Sequence, residues 1–365
     1  MAPVIARDEL LAQVVAKFPF YKMPAYRQGC FVSAALEMVA YVPDSRDHIL
    51  RLLVEKLIKL DAHLSRDHID EAYRRNRDGV EDTAEDEVKG GGGGGLDPQV
   101  HSLDLFMKLM FTYIDVETHS QETGEFDPDK AKVVVDSLMR VFTSHVLPTF
   151  NILHTQFLFL YLTSLSPTIS ARFLADNWKI FTNINTPSIL RQTAMAYIAS
   201  YLSRAEHVGV ATLLTYLERI TCWTLDYVRT RLVLMIFYSS LSASDETCLH
   251  ATCCQFLKQF LIVREASSNG MDFMYTDLNH HGPFYAACQA IFYVFAFRHG
   301  EVTASEARMK RLQSLSWQTL VTSHLNPLRV CLPGVVANFS ALARNYQLAY
   351  CNSIIQRNNR SVPFS

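Results

Sequence analysis

The sequence predicts an all-α chain built as an array of antiparallel helix pairs. Three observations carry that reading. Apolar residues recur at helical spacing through most of the 365 residues, and proline marks the starts of successive segments. No Asn-Gly or Asp-Gly pair sits between alternating runs, so strand and hairpin signals are nearly absent. The clearest unit is 186–206, TPSILRQTAMAYIASYLSRAE. Thr186 is placed to cap its free N–H groups, with Pro187 at the first helical position, where its missing N–H costs nothing. Leu190, Ala194, Tyr197/Ile198, Tyr201/Leu202 and Ala205 make one apolar stripe, and Arg191, Gln192, Arg204 and Glu206 fall off it. Small residues at Ala194, Ala196, Ala199, Ser200 and Ala205 allow a neighbouring helix to approach closely. Such a helix is stable in water only with a partner on its apolar face.

Taken in order, residues 8–20, 26–42 and 46–61 read as helices, with breaks at Pro24 and Pro43. In the third, Ile49, Leu52, Leu53, Leu57 and Leu60 share one side. The pattern dissolves over 69–89, where acidic residues dominate the second half, and Gly90–Gly95 follows. A six-glycine run has maximal chain entropy and nothing to bury, so 69–97 is expected to be a flexible loop between helical repeats at 1–68 and 98–365. Both a natural low-complexity loop and an engineered replacement for a longer one produce such a tract. Its formal match to GxGxxG lacks the strand and βα unit that would give the motif meaning.

Beyond Pro98 the helical pattern returns, punctuated by Asp97-Pro98, Asp127-Pro128, Leu147-Pro148, Ser166-Pro167, Thr186-Pro187 and Asn326-Pro327. Most pair a good N-cap residue with proline at the first helical position. Pro148, Pro167 and Pro187 recur about every 20 residues, so a helix pair repeats at about 40, the period of a HEAT-type α-solenoid. Ile189-Leu190-Arg191-Gln192-Thr193-Ala194 fits the I/V-R-x-x-A opening of a second HEAT helix. Residues 207–264 read as two or three further helices with Trp223 and Tyr227 in the core, and 265–280 as a loop. The stretch 282–300, GPFYAACQAIFYVFAFRHG, is apolar almost all round and must be sandwiched in a core or covered by a partner. Two or three helices and a polar tail complete the chain.

Composition narrows the function. Apolar residues at 49% and charged residues at 19% describe a folded chain with a substantial core. A net charge of −2 argues against a protein that coats nucleic acid. Arg308, Lys310, Arg311, Arg329, Arg344, Arg357 and Arg360 read as solvated surface before they read as an anion-binding face. MAPVIARDELLAQVV has no signal-peptide pattern, and the most apolar window, 157–165, is too short to span a bilayer; a soluble intracellular chain is expected. The eight cysteines lie in apolar segments and are expected to be reduced and buried.

Chemistry is scarce. GxSxG, HExxH, GxxxxGK[ST] and kinase patterns are missing. Cys248, His250, Cys253 and Cys254 lie on one helical segment with no second ligand pair, which favours buried thiols over zinc. His280 and His281, ahead of Gly282-Pro283 at a helix start, read as capping or surface residues. The aromatics of 284–297 lack the interleaved basic residues of a base-stacking platform and read as core. No catalytic, cofactor or metal-binding residue is assigned.

Several segments together resemble one family, the RNA polymerase I-specific transcription initiation factors also called TIF-IA. They are VAKFPF at 15–20, YVPDSRDHILRLLVEKLIKLDAHLSR at 41–66, HTQFLFLYLTSL at 154–165 and ILRQTAMAYIASYLSRAEHV at 189–208. The most specific are HGPFYAACQAIFYVFAFRH at 281–299 and LNPLRVCLPGVVANFSALARNYQLAYCNSIIQRNNR at 325–360. The resemblance implies a non-catalytic HEAT-repeat protein of the nucleus and nucleolus that uses no cofactor. It implies binding to RNA polymerase I, chiefly its stalk and largest subunit, and bridging to the promoter-bound core factor. It further implies a homodimer when free, no membrane association, and weak or absent direct DNA binding. The acidic run Asp78–Glu87 falls where the family carries an acidic loop. A polymerase-contact motif of the form Leu-Ala-Arg-Ala-Lys maps onto Leu202, Ser203, Arg204, Ala205 and Glu206; Ser203 is a mild departure and Glu206 inverts a charge. The early chain offers only Ser33, Ser45 and Ser65 against the family's serine-rich patch, so no patch is carried over. Both ends are short against the family. A HEAT scaffold or transport adaptor is the alternative, and a metalloprotein using Cys248–Cys254 is a third reading.

Overall fold

A computed structural model describes residues 2–64, 98–150, 152–241 and 278–360. The described residues form helices joined by turns, with one isolated antiparallel bridge between His119 and Phe126 and no strand, so the all-α expectation holds. The first helices are α1 (Ala2–Lys17), α2 (Ala25–Tyr41), α3 (Arg46–His63), α4 (Pro98–Thr118), α5 (Pro128–Val141), α6 (Gln156–Ser164) and α7 (Pro167–Thr182). They are followed by α8 (Ser188–Arg204), α9 (Val210–Leu241), α10 (Leu278–Val302) and α11 (Glu306–Ser314). Last come α12 (Trp317–Val321), α13 (Pro327–Val330), α14 (Pro333–Asn345) and α15 (Asn352–Arg360). The chain divides into two compact units, residues 1–173 and 174–365, with the boundary inside α7.

In the first unit α2 packs on α4 and α3 on α5. Ile49, Leu52, Leu53, Leu57 and Leu60 are all buried, joined by Leu50 and Val54. Each such side chain contributes roughly 1.5–3 kcal/mol relative to staying in water. Gly29 lets α2 and α4 meet, because a Cβ there would lie 2.5 Å from Leu105 Cδ2. Asp127 caps α5 as predicted, its carboxylate accepting from Asp129 N at 3.0 Å and Lys130 N at 3.1 Å. The expected helix start at Pro148 does not exist. α5 runs into a π-helical turn, Phe142–Val146, and the next helix begins only at Gln156. Its start is held from a distance: buried Asp61 on α3 accepts from His154 N (2.9 Å), Thr155 N (2.8 Å) and Thr155 Oγ1 (2.8 Å).

In the second unit α10 lies between α8, α9 and α14, which settles how its apolar surface is covered. Phe284, Ile291, Phe292 and Phe295 are fully buried. Among the described residues 207–241 hold one long helix, α9, after a short turn. Trp223 and Tyr227 are half-buried on it; Trp223 meets Phe181 edge-on at 4.5 Å, and Tyr227 stacks on Phe284 at 5.3 Å. α10 begins at Leu278, ahead of the expected Gly282-Pro283 start, which puts His280 and His281 inside the helix. His280 is exposed, whereas His281 is buried and shares a 2.9 Å hydrogen bond with the Tyr227 hydroxyl.

Two cysteines depart from expectation: Cys30 and Cys222 are exposed, while Cys288, Cys331 and Cys351 are buried. The Cys248–Cys254 cluster, the Gly90–Gly95 tract, the acidic run and nearly all of the 265–280 loop lie outside the described residues. No helix of the described residues is long and apolar enough to cross a membrane.

Candidate functional site

The predicted contact residues lie where α8 ends. α8 does not start as expected: Pro187 sits before the helix with ψ 138°, and Thr186 makes no capping bond. Instead the Asn183 side chain accepts from Asn185 N at 3.0 Å, and Thr186 N–H donates to Asn183 O at 3.1 Å. Arg191 and Gln192, placed off the stripe, are half-buried. Arg191 Nε donates to Phe181 O at 2.7 Å, and Gln192 packs against Gly282, where a Cβ would stand 2.4 Å from its Nε2. α10 packs along α8, and within α8 only Ile189, Ala196 and Arg204 are exposed.

At the C-terminal end the five motif residues separate. Leu202 and Ser203 are buried, and the Ser203 hydroxyl donates to Ala199 O at 2.7 Å. Ala205 is half-buried and ends the helix, its N–H bonding to Tyr201 O at 2.9 Å. Arg204 and Glu206 are exposed. Arg204 Nη1 donates to Ser200 Oγ at 2.9 Å and Nη2 to Tyr293 Oη at 3.1 Å; among the described residues it has no acidic partner. Of the five, Leu202 and Ser203 are held in the packing, Ala205 is half-buried, and Arg204 and Glu206 are exposed.

What holds this end in place is a residue the motif does not contain. Arg298 of α10 is buried at 7% exposure, and α10 leaves helical geometry there, with φ −115° and ψ 15°. Its Nη1 donates to Leu202 O and Ala205 O, both at 3.1 Å, and its Nη2 to Val208 O at 3.3 Å. Leu202 O is one of the carbonyls that the end of a helix leaves without an intrahelical partner, whereas Ala205 O also accepts from Val208 N at 3.1 Å and Val208 O lies in the turn that follows. The remaining edge of the guanidinium forms a two-point pair with Glu301, with Nη2 to Oε2 at 2.7 Å. That pairing holds the Glu301 carboxyl below its ordinary range. His207 closes the turn against the Tyr201 hydroxyl at 2.8 Å, and burial holds its imidazole below its ordinary value, favouring the neutral ring. Only the context of sequence could have flagged Arg298: it is the one charged residue in the run 284–298.

Tyr293, under Arg204, also lines a cavity of about 410 Å³ between α10 and the start of α14, with Phe297, Leu332, Val335 and Asn338. A cavity of about 400 Å³ in the first unit, beside Asp115 and Tyr161, has its carboxylate taken by the Tyr161 hydroxyl. Among the described residues no group of three or more His, Cys, Asp or Glu side chains is placed to hold a metal ion. Of the basic residues in the last third, Arg308 donates to Glu301 O at 3.0 Å, Lys310 pairs with Glu306 at 2.7 Å, and Arg311 pairs with Glu218 at 2.7 Å.

The sequence model of a family described as RNA polymerase I specific transcription initiation factor RRN3 matches residues 2–363. The chain belongs to this family. It is 31% identical to the mouse RNA polymerase I-specific transcription initiation factor RRN3, over 97% of this chain and 51% of that protein. It is 24% identical to the Schizosaccharomyces pombe rrn3, over 98% of this chain and 58% of that protein. The chain thus spans about half the length of the curated relatives it matches. A crystal structure of RNA polymerase I transcription initiation factor Rrn3 superposes with a TM-score of 0.69 at 21% identity, covering 97% of this chain and 61% of that one. That likeness places the helices in the Rrn3 fold.

Proposed function

We propose that the chain acts in RNA polymerase I-specific transcription initiation as a non-catalytic binding protein. On this reading it contacts the stalk and largest subunit of the polymerase and bridges the enzyme to the promoter-bound core factor, in the nucleus and nucleolus. Helical repeats at 1–68 and 98–365 form one HEAT-type framework interrupted by an acidic loop at 69–97. The free protein is a homodimer, and contact with DNA plays little or no part. The observation that carries the reading is the family match across residues 2–363, supported by relatives whose names describe that role.

Within this reading Arg204 and Glu206 present the polymerase contact. Arg204 suits it because it is exposed and its hydrogen-bond partners are two hydroxyls, so its charge is available to a partner. Retention of purified RNA polymerases I, II and III on immobilised chain tests the proposal. Selective retention of polymerase I is expected; equal retention of all three, or none, overturns it. Arg204→Glu reverses an exposed interface charge and is expected to weaken retention about tenfold while leaving the melting temperature within about 1 °C. If binding and melting fall together, or neither moves, Arg204 is not an exposed contact.

A further inference from the structure

The cavity beside Tyr293 has a chemistry of its own, and its use rests on the polymerase-binding reading of residues 202–206. Its walls are apolar and open: Phe297 is 56% exposed and Leu332 is 58% exposed, high values for large hydrophobic side chains. No acidic residue lines it. Two positive features adjoin it. One is the Arg204 guanidinium, resting on the Tyr293 hydroxyl without a carboxylate partner among the described residues. The other is the start of α14, a 13-residue helix whose N-cap position is occupied by Leu332, which offers no side-chain acceptor. The positive end of a helix macrodipole favours anions, and that end carries no side-chain cap, the Leu332 carbonyl alone accepting from Val335 N and Val336 N, both at 3.0 Å.

We infer that this cavity receives a short acidic segment of a partner protein. One large apolar side chain of the segment enters between Phe297 and Leu332, and a neighbouring carboxylate pairs with Arg204. Charge complementarity selects this occupant: an apolar slot with a cation and a helix N-terminus at its rim disfavours a basic segment and leaves a purely apolar one without its polar contacts. Nucleic acid is a poor fit, because the lining holds no cation and Arg204 beside it is a single charge, not an array.

Fluorescence anisotropy with the full chain tests the assignment. The probe is a labelled peptide with the core Asp-Asp-Phe-Asp-Asp, compared with versions carrying Asn for every Asp or Ala for Phe. The acidic peptide is expected to bind at least about tenfold more tightly than either control. Arg204→Ala should weaken it about fivefold, and Leu332→Asp or Phe297→Asp should abolish it with unchanged melting, since both side chains are exposed. Equal binding of the Asn peptide, or indifference to Leu332→Asp, overturns the inference. So does a wild-type dimer that Leu332→Asp converts to monomer without any peptide binding, which would assign the cavity to a second copy. Retention of polymerase I separates the two readings. If wild type and Leu332→Asp retain it equally, the cavity assignment fails and the polymerase reading stands. If wild type binds the acidic peptide but retains no polymerase, the reverse holds.

Discussion

Replacing Arg298 by methionine should unfold the end of α8 first and then weaken the whole unit. The substitution keeps most of the apolar stem and removes the guanidinium. Leu202 O, Ala205 O and Val208 O then lose a donor that held them at 3.1–3.3 Å. Ala205 O keeps the Val208 N–H at 3.1 Å, so two carbonyls are left unpaired; each costs about 1–3 kcal/mol, and the losses are not additive, because a relaxed turn can admit water. Glu301 is half-exposed and returns to water at little cost, so its ion pair adds little. Relief of the buried charge offsets part of the loss. A net destabilisation of about 3 kcal/mol follows, which for a domain of this size lowers Tm by about 6–12 °C. Arg298→Lys keeps the charge but offers one ammonium for a planar fork, and should recover less than half of the loss. Circular-dichroism melting gives the shift, and amide hydrogen exchange should show residues 202–208 losing protection before the rest of α8. A melting temperature within about 1 °C of wild type, or unchanged exchange at 202–208, would refute the clamp.

Three further outcomes are expected. Burial pushes the Asp61 carboxyl up, but hydrogen bonds from His154 and Thr155 outweigh it and leave it below its ordinary value. Its folded pKa is thus depressed, so its contribution is present above about pH 4 and lost as pH falls through the folded value. Urea unfolding of wild type from pH 5 to pH 3 should lose more stability than Asp61→Asn does, and that variant should cost about 2–4 kcal/mol at pH 7; a parallel pH dependence would contradict the role. Iodoacetamide at pH 8 should modify Cys30 and Cys222 in the folded protein and spare Cys288 and Cys331, because burial pushes both of those thiols up, Cys331 to about 12; early labelling of Cys331 on peptide mapping would count against this packing. Gly29→Val should destabilise by about 2 kcal/mol in chemical denaturation, since its branched side chain must displace Leu105 at the α2–α4 crossing; a neutral result would mean that the crossing yields.

Local signals were legible where the chain solves its problem locally. The α3 stripe and the Asp127 cap need only a helical period and a side chain two or three residues away. The expected starts at Pro148 and Thr186 are not where the structure starts its helices, which begin at Gln156 and Ser188. Ahead of α6 the acceptor is Asp61, 93–94 residues distant in sequence; ahead of α8 it is Asn183, one turn upstream of the expected cap. Asp61 acts from a place where periodicity carries no information about it, and the Asn183 bond belongs to the turn before α8, not to the helix itself. Similarly, Arg191 and Gln192 lie off the apolar stripe, yet both are half-buried, Arg191 against Phe181 and Gln192 against Gly282, so an off-stripe position is not an exposed one.

The site at the end of α8 shows the same division inside a single motif. Composition and spacing put Leu202 and Ala205 on the buried side and Arg204 on the open side; Leu202 is buried and Arg204 exposed, while Ala205 is half-buried. The burial of Arg298 is not legible in the sequence, because a charge there carries no sign of the carbonyls that will meet it. Its partners at 202, 205 and 208 follow the turn that presents Arg204 and Glu206. One arginine thus sets the backbone on which the other is displayed, and substitutions at the two should separate: Arg298 variants change melting and exchange, whereas Arg204 variants change binding alone. If both classes moved the same observable, display and support would be one function, and the exposed charge would lose its claim to be the contact.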